Sequence, residues 1–473
     1  MTMTTALKNT IGTLLCVLAL AGCTMVPLPA QQPLGDEGGV FVYFQPFPQE
    51  AARLRFSLKS LSAVREDGRE FPLALAVNEF GGADAARQRL VVRGSLPEGR
   101  YTGFLIGVQR ASIATEEQGT ANLLVPEAPQ KAEFAFAIEK RTALVIAFTL
   151  QYAESLQAEY SFSPRFHLSV PQRPLAELTG YASNAGDDTV TLFNKATAQA
   201  TGVIAAGRGP RAIALSLPTN KAYVALSGDD AIAVIDVNEG IVIDRIMLNQ
   251  GDNPVDLALT PDGQTLLVVN AASDSLSFVD TMSRVERKRI LVGRNPCSLV
   301  LNSAGNLAIV ANRLSNNLSV ITIPYKAVAA TIPTGPEPLR AQFNRTGDRL
   351  YVIHAAYPYL FVIDPATFST VQQQFIGSGV TAIKVDTWND LLYLVKKNDT
   401  MITLFNPITL APVGYIPTRG TAEYMTIDSA TNTLYAAVPE RNSLVIVNLM
   451  NRKPIAEIDV NRRPSWISLP GER

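Results

Sequence analysis

The chain is poor in the residues that most site chemistry requires. It has two histidines in 473 residues, His167 and His354. That excludes a multi-histidine metal site and makes imidazole catalysis a weak expectation. Its three cysteines form no C-x-x-C and no C-x-x-C-H pair, which excludes thiolate zinc sites and covalent c-type haem. Charge of one sign is missing too: 41 Lys+Arg stand against 42 Asp+Glu, a formal net charge of −1. The electrostatic footprint of a nucleic-acid binder is therefore absent, and no nucleic-acid partner is expected. Past the first 21 residues there is no apolar run of about 18 residues, the length that spans a bilayer. What is present, 47% hydrophobic and 18% charged residues, suits a folded chain and not a disordered one.

The N-terminus carries an address. Lys8 precedes an apolar run from Ile11 to Ala21, too short to span a bilayer comfortably. It ends Leu20-Ala21-Gly22-Cys23. This resembles the bacterial lipobox, and the resemblance implies that residues 1–22 are a cleaved signal and that Cys23 is acylated. It also implies, with Thr24 and not Asp next to the cysteine, an outer-membrane destination. Several acyl chains anchor stably where one does not, so membrane contact through those chains is expected. Which side of the membrane the protein faces stays open. Residues 23–37, rich in Pro and Gln, read as a tether. With Cys16 lost and Cys23 acylated, Cys297 stands alone and reads as a small buried hydrophobe.

The C-terminal two-thirds repeats. Pro210, Pro254, Pro296 and Pro338 are separated by 44, 42 and 42 residues, and further steps of 42 give Val380, Ala422 and Pro464. The third and fifth residues after each anchor are apolar, as in Ile213/Leu215 and Ile467/Leu469. Period-two alternation over a short run is a half-buried strand. A turn follows, then a second strand, a third ending in Asp236, Asp280, Thr322, Asp364, Asn406 or Asn448, and a fourth. Four short strands in 40–45 residues are one propeller blade. The second-strand wording, YVAL at 223–226, LVVN at 267–270 and IVAN at 309–312, resembles the bacterial surface-layer-like propellers with a Tyr-Val-Thr-Asn signature. Pro464 begins only one strand before the chain ends. The matching gap lies before Pro210, where Tyr181 to Asn184 and Leu192 to Asn194 supply second and third strands but Pro171 to Arg173 cannot supply a first. The C-terminal strand should therefore complete the N-terminal blade and close a seven-bladed ring.

Residues 38–172 read as a β-sandwich, with eight alternating segments from VFVYFQP at 40–46 to TALVIAFTL at 142–150. Pro97 to Tyr101 is a turn entering a strand, and it resembles the LPxGxY element of transthyretin-like modules in bacterial surface lipoproteins. VPQRP at 170–174 interrupts both patterns. The expected fold is all-β: an N-terminal sandwich, then a propeller over 175–473.

The polar residue that ends each third strand recurs in every blade and reads as an Asx-turn cap. The acidic pairs Asp187-Asp188 and Asp229-Asp230 lack calcium-ligand spacing and read as turn residues. Neither a metal nor a cofactor is expected. The resemblance implies further propeller activities to weigh. A quinoprotein is disfavoured by having only Trp388 and Trp466, and a haem d1 site by the shortage of axial histidines. The candidate ligand face is built from loops after the second and fourth strands, which share one side of a propeller. It holds Arg208, Arg294, Asn312, Arg313, His354, Tyr357, Lys397, Arg419 and Arg441. Such residues suit a protein or glycan partner of the envelope, or an anion. Each arginine has a competing role, pairing with a nearby acid such as Asp252 or Glu337. The leading expectation is a lipid-anchored, non-catalytic interaction platform. The alternatives are a propeller lactonase or hydrolase with His354 as general base, and a periplasmic accessory subunit of an envelope complex.

Overall fold

Strand chemistry that repeats every 42 residues becomes, in the computed structural model, one four-stranded antiparallel sheet per repeat, seven in all. The structure describes residues 37–84, 87–115, 119–157 and 160–472. The lipobox residues Leu20, Ala21, Gly22 and Cys23 lie outside the described residues. Blade two shows the plan: Pro210–Ser216 innermost, then Lys221–Leu226, Ala231–Asp236 and Ile241–Met247. Inner strands of the next five blades are Pro254–Leu259, Pro296–Leu301, Pro338–Phe343, Val380–Val385 and Tyr424–Asp428. No described helix is long and apolar enough to cross a membrane.

Blade one is assembled from both ends of the propeller. Thr179–Asn184, Thr189–Asn194 and Gln199–Ala205 are its outer three strands. Its innermost strand is Pro464–Ser468, antiparallel to the first of these, with Ala182 opposite Ile467 and Ser183 opposite Trp466. Residues 170–175, with prolines at 171 and 174, form no strand. The expected closure by the C-terminal strand is what the fold uses, and it removes the free edges an open ring would expose.

Local chemistry explains the regularity. The Asp or Asn at the end of the third strand caps the following turn: Asp236 Oδ1 accepts the N–H groups of Asn238 and Glu239, and Asn406 Oδ1 those of Ile408 and Thr409, whereas Thr322 of blade four donates its hydroxyl to the Ala327 carbonyl at 3.3 Å. Adjacent blades are stitched by a second set. Asp188, Asp230, Asp274, Asn316 and Asn442 all sit at positive φ. Each accepts a backbone N–H from the loop entering the next blade, at Gly209, Gly251, Asn295, Glu337 and Arg463. Asn and Asp tolerate that conformation best among residues with a side chain. The acidic pairs are thus turn residues, and their second members staple blade to blade.

The front domain is a two-sheet sandwich. One sheet orders Phe166–Ser169, Ala143–Leu150, Glu37–Phe44 and Arg89–Pro97, with Glu37–Phe44 parallel to Ala143–Leu150. The other centres on Leu54–Arg65 paired with Gly99–Ala114. The turn at 97–101 is fixed by Tyr101, whose hydroxyl donates to the Pro97 carbonyl at 2.8 Å. Val40, Val42 and Phe44 face the sandwich core. Phe41 and Tyr43, one residue out of phase, join a second core with Leu90 and Val145. That core also contains Phe193, Val203, Tyr435 and Ile458 from blades one and seven. The sandwich therefore docks on the side of the propeller, across the two blades that meet at the closure.

Polar contacts fix that docking. Arg87 bridges Glu457 at 2.8 Å and Asp459, and Asp459 also accepts the Leu90 N–H at 3.0 Å. Arg93 pairs with Asp187 at 3.0 Å. The Gln88 side chain and the Ala200 backbone exchange two hydrogen bonds, at 2.8 and 3.2 Å.

Candidate functional site

The loop face and the central channel both carry polar side chains outside the repeating scaffold. On the loop face, loops after second and fourth strands do meet, as the bond from the Gly228 N–H to the Arg208 carbonyl shows. Most of its arginines are neutralised within the protein. Arg208 pairs with Asp229 at 2.6 Å and Arg313 with Glu337 at 2.7 Å. Arg441 and Arg419 converge on Glu457 at 3.1 and 3.6 Å. Asp252, expected as a partner of this face, is taken instead by Arg289 at 2.6 Å. Arg294 and Lys397 are exposed, and neither side chain has an acceptor among the described residues.

Two of the expected face residues are not on the face. Asn312 and His354 end their second strands fully buried. The reason is a cross-strand site five and seven residues on. The Asn312 amide donates to Asn317 and Ser319 at 2.8 and 2.9 Å, as the Asn270 amide does to Ser275 and Ser277. The terminal asparagine is a clamp between second and third strands. In blade five, Tyr359 and Phe361 replace those polar partners, and the clamp becomes a histidine. His354 Nδ1 lies 3.1 Å from the Tyr359 carbonyl, and its ring meets Phe361 edge-on at 4.8 Å. Nε2 is buried without a partner. Tyr357 packs over the ring at 5.9 Å. Gly335 completes the seal: a Cβ there would come within 2.7 Å of Tyr357 and 3.2 Å of His354 Nε2.

Burial pushes the His354 pKa down to about 4. The unfolded chain then binds more protons than the native one between pH 4 and 6.5, so this group costs stability as pH falls through that window. Asp256, whose pKa burial pushes up to about 6, acts with the opposite sign. His354→Asn should therefore reduce the loss of stability between pH 6.5 and pH 4 by about 3 kcal/mol. Denaturant unfolding at the two pH values reads this directly. An unchanged acid sensitivity would show that His354 is not buried neutral.

The channel was not anticipated. The second residue after each anchor forms a ring: Ala212, Asp256, Ser298, Arg340, Ala382, Tyr424 and Trp466. A cavity of about 110 Å³ is lined by all of these but Ala212, together with Lys384 and Glu472. Tyr424 and Trp466 stack at 4.2 Å and 24°, joining blades seven and one. The Arg340 guanidinium from blade five lies 5.2 Å from the tyrosine ring centre and 5.1 Å from the tryptophan. Asp256 is buried, and its oxygens accept the N–H groups of Leu257 and Leu299 at 2.8 and 2.9 Å. At the end opposite the loop face, Lys384 binds Glu472 of the C-terminal tail at 2.8 Å. Cys297 lies beside this wall with its Sγ 3.4 Å from two carbonyls, and burial pushes its pKa up to about 12. It is a protonated packing residue and not a reactive thiol. A polar position varying within a regular repeat was the available sequence signal for this cavity.

Residues 179–328, which are blade one without its C-terminal strand, blades two and three, and nearly all of blade four, match the family described as lactonase, 7-bladed beta-propeller. The chain is similar to a functionally unknown protein from Desulfotomaculum acetoxidans DSM 771, with 12% identity, a TM-score of 0.54, and coverage of 61% of this chain and 98% of that one. It is similar to dihydro-heme d1 dehydrogenase in complex with DHE, with 15% identity, a TM-score of 0.51, and coverage of 64% and 78%. No curated protein matches the chain. The class is a β-propeller protein, seven-bladed and all-β, carrying an N-terminal sandwich.

Proposed function

We propose that the protein is a lipid-anchored binding protein of the bacterial cell envelope, whose propeller is a non-catalytic platform. One observation carries the reading. The propeller's only imidazole is sealed inside blade five, while the channel presents an arginine on an aromatic stack, beside a buried carboxylate, Asp256, whose two oxygens are already engaged by backbone N–H groups. Recognition needs such donors and faces, whereas acyl transfer needs an activated nucleophile or water. The sandwich, clamped on one flank, leaves the loop face of the remaining blades for a protein or glycan partner, with Arg294 and Lys397 unneutralised.

The anchor is the first test. Cys23→Ser removes the acyl acceptor, so fatty-acid label should be lost and the protein released from outer-membrane fractions. Equal labelling of both proteins would refute the lipoprotein reading. Affinity capture from detergent-solubilised outer membrane then identifies the partner.

A second reading, a lactone-hydrolysing enzyme, is favoured by the family match over residues 179–328. Its base would be Asp256, not His354. Asp256 lines the channel with a pKa raised to about 6, which places a carboxylate base near neutral pH.

A further inference from the structure

The channel cavity has an unused recognition group. Arg340 is half-buried, and its guanidinium plane is held by the Tyr424 and Trp466 rings. A guanidinium has five N–H donors, yet those of Arg340 have no acceptor among the described residues. Its N–H edge therefore opens onto the cavity it lines, available to an acceptor from outside the chain. Other half-buried arginines of this protein have carboxylate acceptors: Arg289 forks onto Asp252, and Arg89 pairs with Asp84 and Asp459. The second cation of the same wall, Lys384, is already occupied by a carboxylate, that of Glu472. The wall thus shows the kind of group it accepts at one cation, while at the other the only carboxylate facing it, Asp256, turns both oxygens to backbone N–H groups.

We propose that the channel cavity binds a small carboxylate, gripped by the Arg340 fork against the Tyr424–Trp466 stack. The reading of the propeller as a binding module underlies this assignment. The planar fork matches the two oxygens of a carboxylate, and aromatic stacking leaves its N–H edge free to bind. The cavity, about 110 Å³, limits the ligand to a few heavy atoms beyond the carboxylate. Asp256 faces the same space, and its charge favours a singly charged ligand over a doubly charged phosphate. Both oxygens of Asp256 are engaged by backbone N–H groups, so it tunes the site and does not contact the ligand.

The chain has two tryptophans, and Trp388 is 81% exposed. Trp388→Phe protein therefore reports on Trp466 alone. Titrating it with acetate at constant ionic strength should give a saturable fluorescence change, with half-saturation of order 1 mM. Arg340→Gln should weaken it at least ten-fold. Arg340→Lys should do the same, because an ammonium keeps the charge but loses the fork. Asp256→Asn should tighten it several-fold, an effect of opposite sign that misfolding cannot mimic. No saturation by about 10 mM, or an Arg340→Gln titration like wild type, overturns the site. Saturation by inorganic phosphate with acetate silent overturns the carboxylate assignment. Failure here with envelope capture intact removes the channel site alone. Capture lost with acetate binding intact removes the partner platform alone.

Discussion

A protein lacking residues 464–473 will aggregate or be degraded, where the full chain is soluble and melts in one transition. Those residues supply the innermost strand of blade one. Ile467 and Leu469 are buried, and Trp466 stacks on Tyr424 of the neighbouring blade. Each large apolar side chain removed costs roughly 1.5–3 kcal/mol. The deletion also strips Thr179–Asn184 of its inner partner and exposes backbone donors and acceptors as a free edge. Lys384 loses Glu472 and stays buried with its charge unpaired. The sum passes 5 kcal/mol, which exceeds the margin of many domains. Soluble yield and thermal unfolding of the truncated protein check this. A soluble truncation with an unchanged melting temperature would contradict closure by the terminal strand.

Asp459→Ala should release the sandwich from the propeller while leaving each folded. Asp459 holds Arg87 and Arg89 and accepts the Leu90 N–H. Its side chain is 10% exposed, and the two arginines are 18% and 22% exposed. Removing it leaves two guanidiniums without their shared acceptor in a largely dry interface. Breaking a buried ion pair from one side costs about 3–5 kcal/mol. The apolar contacts of Phe41, Tyr43 and Val145 then carry the docking with only the Arg87–Glu457, Arg93–Asp187 and Gln88–Ala200 contacts beside them. Cleavage in the 170–174 linker, followed by size-exclusion chromatography, distinguishes the outcomes. Wild-type fragments should co-elute after cleavage, and Asp459→Ala fragments should separate. Fragments that separate equally in both proteins would show that this cluster does not hold the interface.

The blade count and the closure were legible because their causes are local. A strand reads as period two and a turn as an Asx residue, and both recur at fixed offsets within 42 residues. Two things were hidden. The docking of the sandwich involves residues about 370 apart, such as Arg87 and Glu457. Its only sequence trace is that Val40 to Phe44 is apolar without interruption, the pattern of a strand buried on both faces. The channel ring lies on a position where Ala212, Ser298 and Ala382 are small, and Asp256, Arg340, Tyr424 and Trp466 are not. Repeat alignment emphasises positions that stay the same, so a functional position that changes from blade to blade escapes it. His354 was misplaced for a related reason. It stands at the end of a strand, next to loop residues, but shares the inward direction of Asn270 and Asn312.

Whether the propeller binds or catalyses is decided by turnover. The purified protein should be incubated with a panel of five- and six-membered lactones at pH 7, with ring opening followed by acid release. A binding propeller gives no rate above buffer, and no difference among wild type, His354→Ala and Asp256→Asn. Ring opening that wild type catalyses and Asp256→Asn abolishes would contradict it, and would make the channel an active site.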